Sequence, residues 1–478
     1  MNVLLVNPPR FKNMSVIREE RCEIIERNSV LPPYSLLQIA SLLRKNGHKV
    51  DLIDANGEDI KYPAFEKLLS EKDYDAVIFR FTPTTFDWDM LVATISKKYF
   101  NASTIGICYT LGNFARTVLN EAKDLNFFIW HEYEVVVPEL IDQLSTGGNI
   151  SNLAGIAYHC DGEIQVNKDA QPIKNYDDIP LPAYDLLKSF QFYYENTKHG
   201  QPFTIMYTSK GCTYSCIYCT VAETKWKARS AESVIGELLH LKNNYNIKTV
   251  TFFDETFTMD RKRVEKITQA IIDEKLNIKW YCNSRVDLID SDLLEKMKRA
   301  GCGAVSLGIE SGSQKIMDGT NKRASVEKAG NAIKMVKDAG IKVNCSFIFG
   351  LPGENWETVN ETIDFVRQTL PTGAQFNVVA PYPGTKLYDI AMEKGWITKQ
   401  TDFRGMFQHE SIMRTDELTT DELESARKKA YKAIYFYPWW WIQNIAYVIK
   451  NPDDLILASN HTIKILSNYL INKMDFAH

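Results

Sequence analysis

The sequence predicts an α/β fold with two parallel sheets and a helical C-terminal region. Two observations support this: short apolar runs alternate with helical patterns, and the alternation occurs as two separate series. Helices that connect strands in this order pack on the faces of a parallel sheet. With 478 residues, 45% of them hydrophobic, the chain is long enough for two or three domains with full cores.

These patterns divide the chain into four predicted segments. Residues 1–145 form a doubly wound, Rossmann-like parallel sheet, and residues 146–200 form a linker with a small strand pair. Residues 201–395 form a partial (β/α)6 TIM barrel, and residues 396–478 form a helical C-terminal domain. In both kinds of sheet, ligands bind at the carboxyl ends of the strands.

Five short apolar runs are predicted as the strands of the first sheet. They are Val3–Val6, Val50–Ile53, Ala76–Phe79, Thr104–Ile107 and Phe127–Trp130. The helices predicted from apolar spacing are Pro33–Asn46, Ala64–Leu69, Asp87–Tyr99, Asn113–Leu125 and Val135–Leu144. The linker pair surrounds Asp161-Gly162, a sequence that favours a hairpin turn.

Six further apolar runs are predicted as the strands of the partial barrel. They are Thr204–Thr208, Thr249–Phe253, Ile278–Cys282, Ala304–Leu307, Val343–Phe349 and Gln375–Val379. The helices predicted between them are Ala231–Tyr245, Arg261–Glu274, Ser291–Arg299, Val326–Ala339 and Trp356–Thr369. In barrels of this kind, the chemistry lies on the loops that follow the strands.

The C-terminal region contains a charged helix, Thr420–Ala433, and then the aromatic run 435–442, with helical segments to the end. An exposed aromatic cluster of this kind could meet lipid headgroups or an apolar substrate. Aromatic residues at helical spacing are also common in buried packing. The sequence leaves these alternatives open.

Composition and cysteine usage indicate a cytoplasmic protein. The net charge of −4 gives no sign of a nucleic-acid partner. The nine cysteines are odd in number and clustered, which argues against a disulfide framework. The N-terminus lacks the basic start and apolar core of a signal peptide, and no run reaches the length of a membrane span.

The most informative feature is a group of three cysteines, Cys212, Cys216 and Cys219, with the spacing Cys-x3-Cys-x2-Cys. Thiolates suit zinc or iron–sulfur clusters. Structural zinc usually takes four protein ligands. Three close thiolates fit a four-iron cluster with one iron left open, while a partial zinc site or three buried cysteines are the alternatives.

This spacing, together with residues 202–390, resembles the radical S-adenosylmethionine (SAM) superfamily. The resemblance implies a 4Fe–4S cluster whose open iron chelates the amino and carboxylate groups of SAM. An electron from the cluster then cleaves SAM to a 5′-deoxyadenosyl radical. The first domain resembles the cobalamin-binding domain of a branch that includes C-methyltransferases and the anaerobic magnesium-protoporphyrin cyclase, so the resemblance covers about residues 1–450.

The resemblance also implies a set of SAM contacts at the strand ends. They are Tyr218 for adenine; Asp254 and Glu255 for the methionine amino group; Arg285 for the carboxylate; Gly308, Glu310 and Ser311 for the ribose or carboxylate; and Phe349 and Gly350 for adenine. Three of these assignments have structural alternatives, since Tyr218 could be core, Asp254 a helix N-cap, and Arg285 a partner of Asp287. No catalytic residue is assigned.

Cobalamin is the third cofactor that the resemblance implies. Its contacts would include Thr82, Thr84, Tyr109, His131 and Glu132, all at predicted strand ends. The chain has no Asp-x-His-x-x-Gly segment, the usual source of an axial histidine, and His131 stands where relatives usually show glycine. His131 is either a cobalt ligand or a histidine that is hydrogen-bonded at a helix start.

The function implied is methylation of an unactivated carbon by a cobalamin-dependent radical SAM enzyme. The alternative keeps the radical step without methyl transfer and gives oxidation, ring closure or carbon–carbon coupling. The expected partners are a small-molecule substrate and a reductant such as flavodoxin or ferredoxin. A peripheral membrane contact is one of the alternatives that the aromatic run leaves open. The aromatic run near the C-terminus favours a hydrophobic substrate.

Overall fold

The computed structural model describes residues 1–19, 24–26, 29–195, 200–398, 403–405 and 411–450. The chain divides into two compact units. Unit 1 comprises Met1–Tyr193 and Thr401–Met406, and unit 2 comprises Tyr194–Gln400 and Phe407–His478. Among the described residues, no helix is both long and apolar enough to cross a membrane.

Unit 1 is built around a seven-stranded sheet. The strands of this unit are β1 Asn2–Asn7, β2 Ser15–Ile17, β3 Ile24–Glu26, β4 Ser29–Val30, β5 Lys49–Asp54, β6 Ala76–Arg80, β7 Ser103–Ile107, β8 Phe127–Ile129, β9 Ile156–Cys160 and β10 Glu163–Val166. Its helices are α1 Tyr34–Lys45, α2 Tyr62–Leu69, α3 Phe86–Tyr99, α4 Ala115–Glu121 and α5 Tyr133–Thr146. The sheet order is β10-β9-β8-β7-β6-β1-β5, with the five predicted strands parallel.

Two local features of unit 1 differ from the sequence-based expectation. The strand pair predicted in a linker continues the sheet, because β9 pairs antiparallel with β8 and buries Ile156 and Ala157. The predicted helix Asn113–Leu125 is split into a 3-10 turn, Tyr109–Phe114, followed by α4. The turn holds Gly112 against Trp130, where an added Cβ would lie 2.7 Å from the indole Cδ1.

Unit 2 contains a six-stranded parallel sheet whose order follows the chain, β12-β15-β16-β17-β18-β19. The strands of this unit are β11 Tyr194–Glu195, β12 Phe203–Met206, β13 Ser209–Lys210, β14 Lys227–Ala228, β15 Thr249–Phe252, β16 Lys279–Ser284, β17 Cys302–Glu310, β18 Lys342–Phe349 and β19 Gly373–Val378. Its helices are α6 Ala231–Tyr245, α7 Arg261–Asp273, α8 Ser291–Arg299, α9 Gln314–Gly319, α10 Val326–Asp338, α11 Trp356–Thr369, α12 Lys386–Glu393, α13 Thr420–Tyr435 and α14 Pro438–Lys450. The prediction of a partial barrel is confirmed.

The last strand of this sheet is covered by side chains of α13. The Tyr431 hydroxyl accepts a hydrogen bond from the Phe376 N–H at 3.2 Å. The Tyr435 hydroxyl contacts the Ala374 N–H at 3.4 Å and donates to the Ala374 carbonyl at 2.9 Å. The predicted charged helix therefore packs on the sheet edge. The further helical segments predicted for 451–478 lie outside the described residues.

The two faces of this sheet differ in polarity, as the alternation of side chains along a strand requires. On β18 the outer positions Val343, Cys345 and Phe347 are buried. The inner positions Asn344 and Ser346 are exposed and half-buried, respectively. The inner face is therefore the open one.

Candidate active site

The three cysteines lie on a loop that is closed by a short hairpin at the carboxyl end of β12. Strands β13 and β14 pair through Ser209 with Ala228 and Lys210 with Lys227. Gly211 has φ +85°, and an added Cβ there would lie 2.5 Å from the Lys225 carbonyl oxygen, so glycine is needed at this position. The hairpin fixes both ends of the loop on the sheet.

The cysteine thiols share one electrostatic environment. Burial raises the pKa of the Cys212 thiol, the neighbouring Cys216 and Glu255 add to the rise, and the Arg285 guanidinium opposes it. Burial likewise raises the pKa of Cys219 to about 12, with Cys216, Cys212 and Glu255 adding to it. The three thiols and Glu255 are thus close enough to interact.

The donor set fits an iron–sulfur cluster better than a single ion. Among the residues that the structure describes, no three His, Cys, Asp or Glu side chains are gathered closely enough around one point to hold a metal ion. Structural zinc needs such a compact tetrahedron, usually with four protein ligands. Three interacting thiols without a fourth cysteine in the loop are the ligand set of a 4Fe–4S cluster with one iron left open.

Asp254 and Glu255 follow β15 but have different surroundings. The Asp254 carboxylate is fully buried and accepts hydrogen bonds from the Thr208 N–H at 2.6 Å, the Thr208 hydroxyl at 2.5 Å and the Ser209 hydroxyl at 2.7 Å. The helix-cap alternative for Asp254 is wrong, since Asp260 caps α7. Asp254 ties β15 to the entrance of the cysteine loop, while Glu255 acts on the thiols.

Arg285 lies between the cysteine loop and its own acidic neighbour. Its guanidinium donates to both Asp287 carboxylate oxygens, at 2.9 and 3.2 Å, and to the Lys322 carbonyl at 2.7 Å. It also lies 3.4 Å from the Tyr214 ring centroid. The predicted salt bridge to Asp287 is therefore present, and the positive charge also reaches Cys212 and Cys216.

A buried ion pair occupies the end of β17. Glu310 and Lys322 are 7% and 4% exposed, and the Lys322 Nζ lies 2.7 Å from the Glu310 carboxylate. Glu310 has φ +74° beside a register shift in the β17–β18 pairing. Such backbone strain in a non-glycine residue clusters at functional sites. Lys322 was missed by the sequence analysis because it stands in a polar loop.

Two glycines near this ion pair lie close to different parts of the structure: Gly308 to the pair itself, and Gly312 to α11. An added Cβ on Gly308 would lie 2.5 Å from the Glu310 carboxylate oxygen and 3.1 Å from the Lys322 Nζ. An added Cβ on Gly312 would instead lie 2.6 Å from the Phe365 Cβ on α11. The Ser311 hydroxyl also faces α11, at 3.1 Å from the Thr362 hydroxyl. The predicted SAM contact of Ser311 stays a prediction, since its hydroxyl already contacts α11.

The predicted adenine-contacting residues are partly packed in the core. Tyr218 packs against a buried cluster that includes Leu351 and Val379, and burial and nearby Glu310 raise its pKa well above the ordinary tyrosine value. Phe349 is fully buried, with its ring 6.0 Å from that of Phe376. These contacts agree with the core alternative for Tyr218 and place the Phe349 ring on the helix-covered face.

The turn after β18 is held by a buried carboxyl. Gly350 has φ +99° and donates its N–H to a Glu354 carboxylate oxygen. The other Glu354 oxygen is buried without a hydrogen-bond partner in the described part of the chain. Burial raises the pKa of Glu354 from 4.5 to about 8. The folded protein therefore keeps this carboxyl protonated at neutral pH.

We expect the stability of unit 2 to fall as the pH rises from 4.5 to about 8, because only the folded chain then keeps the Glu354 proton. The slope contributed by this group is at most about 1.4 kcal/mol per pH unit. Glu354→Gln should flatten it, and urea unfolding across this range measures the change. Glu357→Gln, at an exposed position of α11, is the matched control. An unchanged slope in Glu354→Gln would contradict the assignment.

The inner face of the sheet presents neutral polar groups. Ser306 on β17 lies beside Asn344 on β18, and Ser346 lies beside Gln375 on β19. Asn377 follows on β19, where its side-chain oxygen accepts from the Gln375 amide at 3.2 Å. Asn344 and Gln375 are exposed, and the other three residues are half-buried. This face can hydrogen-bond a ligand without contributing charge.

In unit 1, the predicted residues after β6 form a network of their own. The Thr82 N–H and the Thr85 hydroxyl donate to Asp89 at 3.2 and 2.7 Å. Asp89 also pairs with Arg18 at 2.7 Å, and all four of these residues are buried. Thr84, which is half-buried, contacts the Thr82 hydroxyl at 2.9 Å. Thr82 therefore holds the loop, and Thr84 is the more accessible of the two predicted threonines.

Tyr109, His131 and Glu132 lie together beyond β7 and β8. The rings of Tyr109 and His131 are 4.6 Å apart, and both residues are half-buried. Glu132 has φ +50° and precedes the first residue of α5. The predicted place of these residues at one strand edge is therefore observed, in the part of a doubly wound sheet where ligands bind.

The fold and site together define an iron–sulfur enzyme with a thiol loop at the carboxyl end of an open parallel sheet. The profile of the Radical SAM superfamily matches residues 206–366. The chain is 30% identical over 449 residues to an uncharacterized methyltransferase of Pyrococcus horikoshii. This alignment covers 93% of this chain and 95% of the relative.

Two further comparisons extend the likeness beyond the sheet of unit 2. The chain is 28% identical over 423 residues to the anaerobic magnesium-protoporphyrin IX monomethyl ester cyclase of Rubrivivax gelatinosus, covering 84% of this chain and 74% of the relative. A solved structure of the radical SAM methyltransferase TsrM from Kitasatospora setae, with cobalamin and a 4Fe–4S cluster bound, has a TM-score of 0.71 at 15% identity. It covers 91% of this chain and 88% of that chain.

The chain belongs to the radical SAM superfamily. It is a radical SAM enzyme, and its cofactors include a 4Fe–4S cluster and SAM. The predicted family, fold class and enzyme class are confirmed.

Proposed function

We propose that this protein is a cobalamin-dependent radical SAM methyltransferase that acts on an unactivated carbon. The observation that carries the proposal is the 30% identity to a methyltransferase, which extends over 93% of the chain and so includes both units. The cobalamin-bound TsrM structure has the same fold over nearly the whole length.

In unit 2, we propose that Cys212, Cys216 and Cys219 ligate the cluster, and that Glu255 and Arg285 set the charge around it. Arg285 favours the thiolate forms of these cysteines, because a nearby positive charge lowers a thiol pKa. The cluster supplies the electron that cleaves SAM, and cobalamin supplies the methyl group. The chain itself binds, orients and shields these groups.

For SAM, we propose that the end of β17 is the main recognition element. Gly308 leaves room for the Glu310–Lys322 pair, since an added Cβ would lie 2.5 Å from the Glu310 carboxylate and displace it. Glu310 can accept hydrogen bonds from ribose hydroxyls while Lys322 neutralises its charge. The carboxyl and the amine are held in place before the ligand arrives, so little ordering is needed on binding.

In unit 1, we propose that the edge beyond β7 and β8 holds cobalamin. The half-buried Tyr109–His131 pair offers aromatic surface to a large planar ligand, and Thr84 and Glu132 offer hydrogen-bonding groups. We expect His131 to contact the ligand through the ring that packs against Tyr109, and the experiment below tests whether it also ligates cobalt.

Cobalamin retention tests this proposal. The protein, prepared anaerobically with its cluster rebuilt, should retain hydroxocobalamin at near-stoichiometric amounts after desalting. Mild reduction should give a cob(II)alamin EPR signal without nitrogen superhyperfine splitting. His131→Ala should leave the line shape unchanged. Splitting that disappears in His131→Ala would make His131 a ligand, and the lack of any cobalt signal would contradict the cobalamin proposal.

A second candidate is a radical reaction without methyl transfer, namely oxidation, ring closure or carbon–carbon coupling. The 28% identity to a cyclase over 84% of the chain favours it. The two candidates differ in their SAM products. Methyl transfer gives S-adenosylhomocysteine and 5′-deoxyadenosine in equal amounts, whereas the alternative gives 5′-deoxyadenosine alone.

We propose three partners for this chemistry. The first is a small-molecule substrate with hydroxyl or amide groups, because the open inner face carries Asn344, Gln375 and other neutral polar side chains. Turnover of a pure hydrocarbon substrate would contradict this choice, which differs from the hydrophobic substrate that the sequence favoured.

The second partner is a flavodoxin or ferredoxin as reductant, which can be tested by measuring turnover with each. The third is a membrane, through the C-terminal helix.

A further inference from the structure

Helix α14 exposes a continuous row of large apolar side chains. Trp439, Ile442, Ile445 and Ile449 are 59%, 52%, 56% and 73% exposed. Their spacing of three, three and four residues places them on one face of the helix. We call these four residues the outer stripe. Phe436, the residue that follows α13, is also 56% exposed.

The opposite face of α14 is held to unit 2 by hydrogen bonds. The buried Trp440 donates its indole N–H to the Pro371 carbonyl at 3.1 Å. The Gln443 side chain donates to the Leu370 carbonyl at 2.7 Å and accepts from the Lys337 ammonium at 2.7 Å. These contacts fix the rotation of the helix, so its hydrogen-bonding side faces inward and its apolar side outward. That is the reverse of an ordinary surface helix.

The chain segment that carries the outer stripe has charged residues of one sign only. Residues 425–450 contain five basic residues and no Asp or Glu, although the whole chain carries a net charge of −4. The basic residues are Arg427, Lys428, Lys429, Lys432 and Lys450. Lys428 and Lys432 are exposed one helical turn apart, and Phe436 follows one turn later. Positive charge therefore adjoins an exposed aromatic and aliphatic row.

We propose that the outer stripe docks on an anionic lipid surface. Tryptophan and aliphatic side chains of an amphipathic helix enter the boundary between headgroups and acyl chains, and neighbouring lysines attract anionic headgroups. This proposal adds two details to the membrane contact proposed above: the face of α14 that makes the contact, and the negative charge of the lipid. It does not depend on methyl transfer, because it uses none of the cofactor-binding residues.

Vesicle sedimentation tests the proposal with the full chain. The protein should sediment with vesicles of phosphatidylcholine and phosphatidylglycerol, and less with phosphatidylcholine alone, with the difference falling as salt rises. The double variant Ile442→Ser/Ile445→Ser should bind the anionic vesicles at least about tenfold more weakly. Met392→Ser is the matched control, because Met392 on α12 is 57% exposed and lies outside the stripe. It should bind as the unchanged protein does.

Three results would overturn the proposal. The first is failure of the full chain to bind anionic vesicles. The second is equal binding by the double variant, and the third is a dimer, seen by sedimentation equilibrium, that the double variant converts to monomer. The last result would make the stripe a contact between two copies of the chain. SAM cleavage by the double variant in solution should be unchanged, so this test and the test of methyl transfer can fail separately.

Discussion

Cys216→Ala should abolish cluster assembly and all cleavage of SAM. Cys216 is 8% exposed and lies in the middle of the three-cysteine loop, where its charge acts on both Cys212 and Cys219. The cluster has only three thiolate ligands, and Cys216→Ala removes one of them. No other residue of the loop can take its place. We expect iron and sulfide to fall from about four per chain, the count of a 4Fe–4S cluster, to background. No 5′-deoxyadenosine should form.

A buried cysteine outside the loop provides the control. Cys345 is 2% exposed on the outer face of β18. Cys345→Ala removes a core sulfur of similar burial, so it should reduce stability slightly while iron content and SAM cleavage persist. If Cys216→Ala retains SAM cleavage, the assignment of the cysteine loop as the cluster site is wrong.

Lys322→Met should have the second largest effect, on both stability and SAM binding. The Lys322 ammonium is the ion-pair partner of Glu310, and both side chains are less than 10% exposed. Removing one member leaves an uncompensated buried charge, which typically costs about 3–5 kcal/mol. We expect a loss of that order in urea unfolding, and weaker SAM binding by equilibrium dialysis.

Two further variants test whether the effect comes from the buried charge that remains after Lys322 is removed. Glu310→Gln in the Lys322→Met background removes the stranded charge, so it should recover stability but not SAM binding. Lys334→Met breaks an exposed pair with Asp338, where the expected change is within about 0.5 kcal/mol. If the single and double variants at the buried pair are equally unstable, Glu310 and Lys322 are not coupled.

The sequence predicts most of the strands because their apolar runs are local signals. Val3–Val6 and Val343–Phe349, for example, lie within β1 and β18. It does not predict which sheet a hairpin joins, because that depends on distant pairing. The hairpin of β9 and β10 therefore appears in the sequence as part of a linker, although Ile156 pairs with Ile129 of β8.

The candidate site is only partly predictable from the sequence, because it too depends on contacts between distant residues. The cysteine spacing and the glycines are visible in the sequence, but the direction in which a side chain points is not. Asp254 and Glu255 are adjacent acids, yet one is saturated by Thr208 and Ser209 while the other acts on the thiols. Lys322 resembles a solvated loop residue until the fold buries it beside Glu310.

The tyrosines that cover β19 have a consequence for the solubility of the protein. A sheet that stops after six strands leaves a row of unsatisfied backbone groups, which invites strands of other molecules to add on. Tyr431 and Tyr435 meet the Phe376 and Ala374 N–H groups, two residues apart, much as a seventh strand would. At β19 the chain can therefore leave its barrel unclosed, with the inner face accessible, and still resist the addition of strands from other molecules at this edge.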